Sequence, residues 1–397
     1  MKKIFLHEPH FLGKEISYVK SCIKSGWVST SGKFVQEFEK KISNFTKSKF
    51  SIALNSGTSA LDLCLKSIFV KPGDEILIPT ITFIAPVNSI LYNGCKPIFM
   101  DCDNLGNIDL EKVLDFIENE TIKKKNYTIN KKTKKKIKAI IIVHVFGNTV
   151  KLNKIKKICK TQNIKIIEDA SESFGSYVKI ANKNLKHTGT LGDMGCFSFN
   201  ANKIITTGAG GAVITGSKKI HKTISYLSTQ AKDDPINFIH NEVGYNMKLN
   251  NLSASVGLAQ IQTFSKITKR KKYIHDYYKK KLLNSKYFKI LSPPKNSKCN
   301  FWINLLSIKN TQSIKTRDFV INKFFKNKIQ VRPVWFPNHL QKKMKNFQRF
   351  KLFNYNNFLQ STICLPSGHN LDNKSLDRVI NVINLLEKDK KFLNTYN

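Results

Sequence analysis

Short apolar runs alternate with longer amphipathic stretches between about residues 50 and 215, the pattern of an α/β domain with a largely parallel sheet. The apolar runs predict strands over residues 51–54, 75–79, 97–101, 139–145, 165–168, 195–199 and 212–215. Between them, residues 58–69, 84–92, 110–119 and 152–162 carry helical spacing, several behind Ser, Thr or Asp cap candidates. In such a sheet the reactive groups gather at the C-terminal ends of the strands. After Asn250 the pattern becomes one long amphipathic helical region to about Leu283, then alternating segments and a terminal helix over 377–388. The expected organisation is a large domain over residues 1–250, with an N-terminal arm, and a smaller α+β domain over residues 251–397. No internal repeat interrupts this reading.

Composition narrows the class. A chain of 397 residues with 41% hydrophobic content buries a sizeable core. No run of about 18 apolar residues is present, and the opening Met-Lys-Lys-Ile-Phe-Leu-His-Glu-Pro is too short and too quickly polar for a signal peptide. The expectation is a cytoplasmic protein without a membrane partner. The 8 cysteines lack a Cys-x-x-Cys pair or a nearby His pattern, so reduced, mostly buried thiols are expected, with no zinc or other metal.

Charge changes the picture less than its size suggests. Lys+Arg 67 against Asp+Glu 27 gives +40, an electrostatic footprint that nucleic-acid binders share. Only Arg270, Arg317, Arg332, Arg349 and Arg378 are arginines, whereas base-reading surfaces favour the bidentate guanidinium. Abundant Lys, Asn and Ile read instead as a coding bias spread over solvated faces, so no nucleic-acid partner is expected. A positive field still steers a nucleotide diphosphate. Residues 121–138 are too charged for core and are expected as an exposed basic excursion or hairpin before the strand at 139.

The most specific stretch runs from Gly192 to Gly211: a buried strand ending at Ser198, a turn, one lysine at Lys203 and a Gly-rich turn. Lysine is common throughout, so position rather than identity singles out Lys203. A partly desolvated amine there is placed to form a Schiff base with an aldehyde cofactor; the plain alternative is a solvated loop lysine. Asn55-Ser56-Gly57-Thr58-Ser59-Ala60 carries a strand into a helix, where free N–H groups cradle a phosphate or simply begin a capped helix. Ile166-Ile167-Glu168-Asp169-Ala170-Ser171-Glu172 ends a buried strand in a carboxylate. Asp169 there either holds a pyridine nitrogen protonated or caps a helix.

Phosphate turn, aromatic, Asp and Lys in this order resemble the fold-type-I PLP enzymes, and more narrowly the DegT/DnrJ/EryC1/StrS sugar aminotransferases. The likeness runs from Leu6-His7-Glu8-Pro9 and Trp27-Val28-Ser29-Thr30-Ser31-Gly32 to Ile363-Cys364-Leu365-Pro366-Ser367. His144-Val145-Phe146-Gly147-Asn148, Asn202-Lys203-Ile204, His240-Asn241-Glu242 and Arg332-Pro333-Val334-Trp335 are similar to the LegC and PglE type. Those enzymes aminate a UDP-linked 4-keto-6-deoxy-N-acetylhexosamine. The resemblance implies pyridoxal 5'-phosphate on Lys203, with Ser56, Gly57, Thr58 and Ser198 at its phosphate, Phe83 stacked on its ring and Asp169 at its ring nitrogen. Glu172 falls where many relatives have Gln facing the cofactor's phenolic oxygen, so a carboxylate there has to share a proton or bind differently. Asn246 would reach the phosphate of a neighbouring subunit, implying a homodimer with shared sites. His7, Trp27, Ser29, Asn202, Arg332, Trp335 and His339 would contact the sugar nucleotide, and L-glutamate would donate the amine. A GDP- or dTDP-linked, perosamine-type keto-sugar is the alternative substrate. The related sugar 3-dehydratases carry His in place of the lysine, and a basic nucleic-acid regulator would not need this set of positions.

Overall fold

A computed structural model describes residues 2–180, 184–311 and 313–396 of the chain. A ten-stranded sheet organises the first half, its main path running Phe50–Leu54, Gly211–Thr215, Met194–Ser198, Lys165–Asp169, Lys136–Val143, Glu75–Pro79, Lys96–Met100 and Arg349–Phe350. Gly211–Thr215 is antiparallel to both its neighbours, and the other adjacent pairs on that path are parallel. The central strands are unbroken apolar runs because both faces are covered. Ile76, Ile78 and Ile141 pack with the helices Lys33–Thr46 and Gly57–Ser67 on one side. Leu77, Ile140 and Ile142 pack with Leu110–Asn119 and Asn153–Thr161 on the other. All eight cysteines are free and buried. No described helix is long and apolar enough to cross a membrane.

The basic stretch forms the expected hairpin: Thr121–Lys123 pairs with Thr128–Asn130, which pairs in turn with Lys136–Val143. Three elements depart from expectation. The strand drawn over 139–145 covers Lys136–Val143, and His144 leaves the sheet because its side chain turns to Glu168. The single helix expected from 250 to 283 is two, Asn251–Gln262 and Phe264–Lys281, meeting at Thr263. The first packs Ala254 and Leu258 into the large core; the second starts in that core with Phe264 and Ile267 and runs on to a separate core with Ile274 and Tyr278. That second core covers a four-stranded antiparallel sheet, ordered Phe288–Ile290, Asn304–Ile308, Thr362–Leu365 and Arg332–Pro333. The terminal helix is also longer than expected, Asn373–Glu387, because Asp372 accepts the Ser375 N–H and caps it one turn earlier.

Candidate active site

Strand register decides what meets at the C-terminal edge of the large sheet. Cys196 lies beside Asp169 and Asp169 beside Val143, so Ser198 extends just past the carboxylate. Gly211 pairs with both Leu54 and Ser198, which brings the turn after Leu54 against Ser198. In that turn Ser56 caps the helix Gly57–Ser67, its Oγ accepting the Ser59 N–H at 3.0 Å and its carbonyl the Ala60 N–H at 3.1 Å. The N–H groups of Gly57 and Thr58 are left at the open helix end, lining the cleft. Space dictates the glycines: a Cβ at Gly57 would lie 2.8 Å from Ser198 Cβ, and one at Gly211 2.4 Å from the Ser56 carbonyl.

Asp169 is 5% exposed and opens into the same cleft. Its Oδ1 accepts the Ser171 N–H at 3.0 Å, and its Oδ2 meets no protein donor among the described residues. The adjacent Glu168 points the other way and anchors the edge. It accepts the N–H groups of Leu191 and Gly192 at 2.6 Å each and of Gly189 at 2.9 Å, with His144 Nε2 at 2.8 Å. Because His144 Nδ1 accepts the Val150 N–H at 3.1 Å, Nε2 is the donor nitrogen.

Lys203 reaches the cleft from the turn after Ser198. Its Nζ sits 3.5 Å from Glu172 Oε1 and 4.4 Å from the centre of the Trp302 ring. Glu172 Oε2 accepts the Phe146 N–H at 2.6 Å, an orientation made by a left-handed backbone at Phe146 (φ 57°) that bulky residues rarely adopt. Burial pushes the Glu172 carboxyl above the usual range, opposed by the neighbouring Lys203 amine. On the opposite wall Phe83 is 52% exposed and touches Trp335 edge-on at 5.4 Å; Trp335 stacks on Phe146 at 5.8 Å. The buried Trp335 Nε1 has no protein acceptor among the described residues. Asn202 completes this side.

Ser56, Gly57, Thr58, Phe83, Asp169, Glu172, Ser198, Asn202, Lys203 and Trp335 therefore share one cleft. The remaining expected residues lie outside its lining. His339 is outside that lining: Nδ1 pairs with Thr80 Oγ1 at 2.6 Å, its ring packs on Tyr355, and burial lowers it to about 4. Trp27 and Ser29 are exposed, and their carbonyls take the Asn251 side-chain and backbone N–H groups at 2.6 and 2.8 Å. Arg332 is exposed on the strand paired with Cys364. Asn246 is exposed at the cradle's rim, its carbonyl accepting Asn55 Nδ2 at 3.3 Å. His7 lies inside beside His369, with both ring nitrogens unpartnered among the described residues; burial lowers its pKa well below the ordinary value. Trp302 and Asn300 escaped sequence reading. A tryptophan 100 positions from Asn202 carries no local signal of its contact with it.

Residues 11–384 match the DegT/DnrJ/EryC1/StrS aminotransferase family. The chain belongs to that family. It is similar to the GDP-perosamine synthase of Escherichia coli O157:H7, 33% identical over 98% of this chain and 100% of that protein. It is also similar to the UDP-4-amino-4,6-dideoxy-N-acetyl-beta-L-altrosamine transaminase of Campylobacter jejuni (strain 81-176), 29% identical over 92% and 93%. Spr1654 of Streptococcus pneumoniae, solved in a PMP form, shares the fold with a TM-score of 0.86 at 23% identity over 99% of each chain. The protein is thus an aminotransferase of PLP fold type I, and pyridoxal 5'-phosphate is its cofactor. The cleft suits such a group. An open helix end for a phosphate, a carboxylate oxygen without a partner, a half-exposed aromatic face and an amine all converge on it.

Proposed function

We propose that the chain transfers the amino group of L-glutamate to C4 of a nucleotide-linked 4-keto-6-deoxy sugar, working as a homodimer with shared sites. The observation that carries this reading is the convergence of the Lys203 amine, the Asp169 carboxylate and the Gly57 helix end on one cleft. Pyridoxal phosphate supplies the electron-withdrawing ring and aldehyde through which an amino group is exchanged. Ser56, Gly57, Thr58 and Ser198 hold its phosphate through backbone and hydroxyl donors. Asp169 accepts the ring N–H with its free oxygen, and Phe83 offers its exposed face to the ring. The Lys203 amine would hold the aldehyde end of the group and would be the base placed to carry a proton, a contribution of about 10²–10⁴-fold for a positioned base. Glu172, oriented by the Phe146 N–H and 3.5 Å from the Lys203 amine, would face the group from the same side as that amine.

Residues 1–250 hold the cofactor in this reading, and residues 251–397 supply Trp335 and Arg332 to the sugar side. A second copy is supported by apolar side chains left in solvent beside Asn246: Ile236 at 84%, Phe238 at 68% and Val243 at 73% exposure. The substrate expected from the motifs is UDP-2-acetamido-2,6-dideoxy-4-hexulose. A GDP-linked, perosamine-type keto-sugar is the second reading, favoured by the 33% likeness to a GDP-perosamine synthase. The test is the visible spectrum of the cofactor-loaded protein, converted with L-glutamate and then mixed with each keto-sugar in turn. Return of the original band with one of them names the substrate. A spectrum that glutamate leaves unchanged removes the donor assignment, and a Lys203→Ala variant that turns over at the wild-type rate removes the whole reading.

A further inference from the structure

Lys271, on the helix Phe264–Lys281, is fully buried and pairs with no carboxylate among the described residues. Its Nζ donates instead to two backbone carbonyls, Trp302 at 3.0 Å and Ser367 at 2.7 Å. An uncompensated buried amine is costly, and burial lowers this one to about 7. A neutral side chain of similar length would fill the space without that cost, so the two carbonyl contacts need a reason.

The reason lies one residue on. The Trp302 backbone is pinned on both sides: its carbonyl by Lys271, and its N–H by Asn300 Oδ1 at 2.9 Å. Asn300 in turn donates to the carbonyls of Glu172 (2.9 Å) and Phe174 (3.0 Å), tying Trp302 to the loop that carries Glu172. The indole is fixed as well, its N–H meeting the Asn202 carbonyl at 2.8 Å while its face lies 4.4 Å from the Lys203 amine. An aromatic face at that range favours the cationic form of an amine and limits where it sits.

We infer that Lys271 is a positioning residue for Lys203, acting through Trp302 to hold the indole face against the reacting amine. This rests on the assignment of Lys203 to the cofactor. Glu172, Asp169 and His7 are the other titratable groups around that amine, and Lys271 itself faces His7 and His369; the substitutions below leave all of these side chains in place.

The experiment follows, in the cofactor-loaded protein, the pH at which the visible band changes form, together with kcat and KM. Lys271→Met should lower that midpoint by about 0.5 to 1.5 pH units, the size of one desolvated cation–π contact. It should cut kcat about tenfold or more while the KM for the sugar nucleotide stays within about threefold. Trp302→Leu should shift the midpoint in the same direction, and the double variant should shift it no further than the larger single change, as for groups acting in series. If Lys271→Met does not fold, Lys271→Gln, which keeps a donor for the carbonyls, is held to a smaller shift of the same sign. A midpoint that stays at the wild-type pH, a lowered melting temperature with unchanged midpoint, or additive effects in the double variant would overturn the inference. Absence of any visible band in the wild-type protein with pyridoxal phosphate would instead remove the reading on which it rests.

Discussion

Gly57→Ala is the sharpest test of the phosphate cradle. The added methyl would stand 2.8 Å from Ser198 Cβ and 3.3 Å from both its Cα and its Oγ. Carbon atoms in contact sit at about 3.5–4.0 Å, so one partner must retreat by roughly 0.7 Å or more. Rotating the serine does not help, because its Cβ is set by the strand. The helix start is the part that moves, carrying the Gly57 and Thr58 N–H groups with it. A hydrogen bond near 2.9 Å stretched by about 0.7 Å has lost most of its strength. Bonds to a charged acceptor contribute about 1.5–3 kcal/mol each, so weakening two of them costs roughly 3 kcal/mol, or on the order of 10²-fold in cofactor Kd. The backbone at Gly57 is at the start of a helix and not left-handed, so alanine brings no conformational penalty of its own. Titrating the apo-protein with pyridoxal phosphate, followed by the visible band, measures the change. A Kd within threefold of wild type would refute the argument, and a melting temperature lowered by more than a few degrees would place the damage in the core.

Two further outcomes are expected. Asp169→Asn should retain the bound cofactor and its visible band while kcat falls about 10²–10⁴-fold, since an amide does not hold a ring proton as a carboxylate does; steady-state rates within fivefold of wild type would contradict this. Acidification should destabilise the fold through His187, whose Nε2 accepts the Gly175 N–H at 2.7 Å while its Nδ1 donates to the Thr188 carbonyl, an arrangement open only to the neutral ring. Burial lowers it to about 4, so between pH 6.5 and 4 the unfolded ring binds a proton that the folded one does not. Its contribution is complete above 6.5 and declines by up to about 3 kcal/mol as the pH falls towards 4. Urea unfolding at pH 7.5, 6 and 5 reads this slope, and a stability that stays level or rises on acidification would be inconsistent with it.

Period and punctuation along the chain determined most of the framework. The seven core strands are legible because runs such as Glu75–Pro79 are apolar on both faces, a property of five consecutive residues that needs no partner to be seen. Asp169 stands at the end of such a run and Lys203 in the turn that follows another, which is what marked the two positions. What the sequence left open depends on contacts between distant segments. One amphipathic pattern continues across Thr263, yet the backbone breaks there into two helices. His339 has the composition of a site residue, but a hydroxyl from Thr80, 259 positions away, turns it inward. Gly57 looks like any helix start until Gly211 draws Leu54 and Ser198 to the same point of the sheet. Trp302 meets Asn202 and Lys203 from a backbone bonded to Lys271, which lies 31 positions away in the sequence. Local propensity is read from neighbouring residues, whereas close packing is decided by whichever surfaces the folded chain presses together, and the surroundings of the Lys203 amine belong to the second kind.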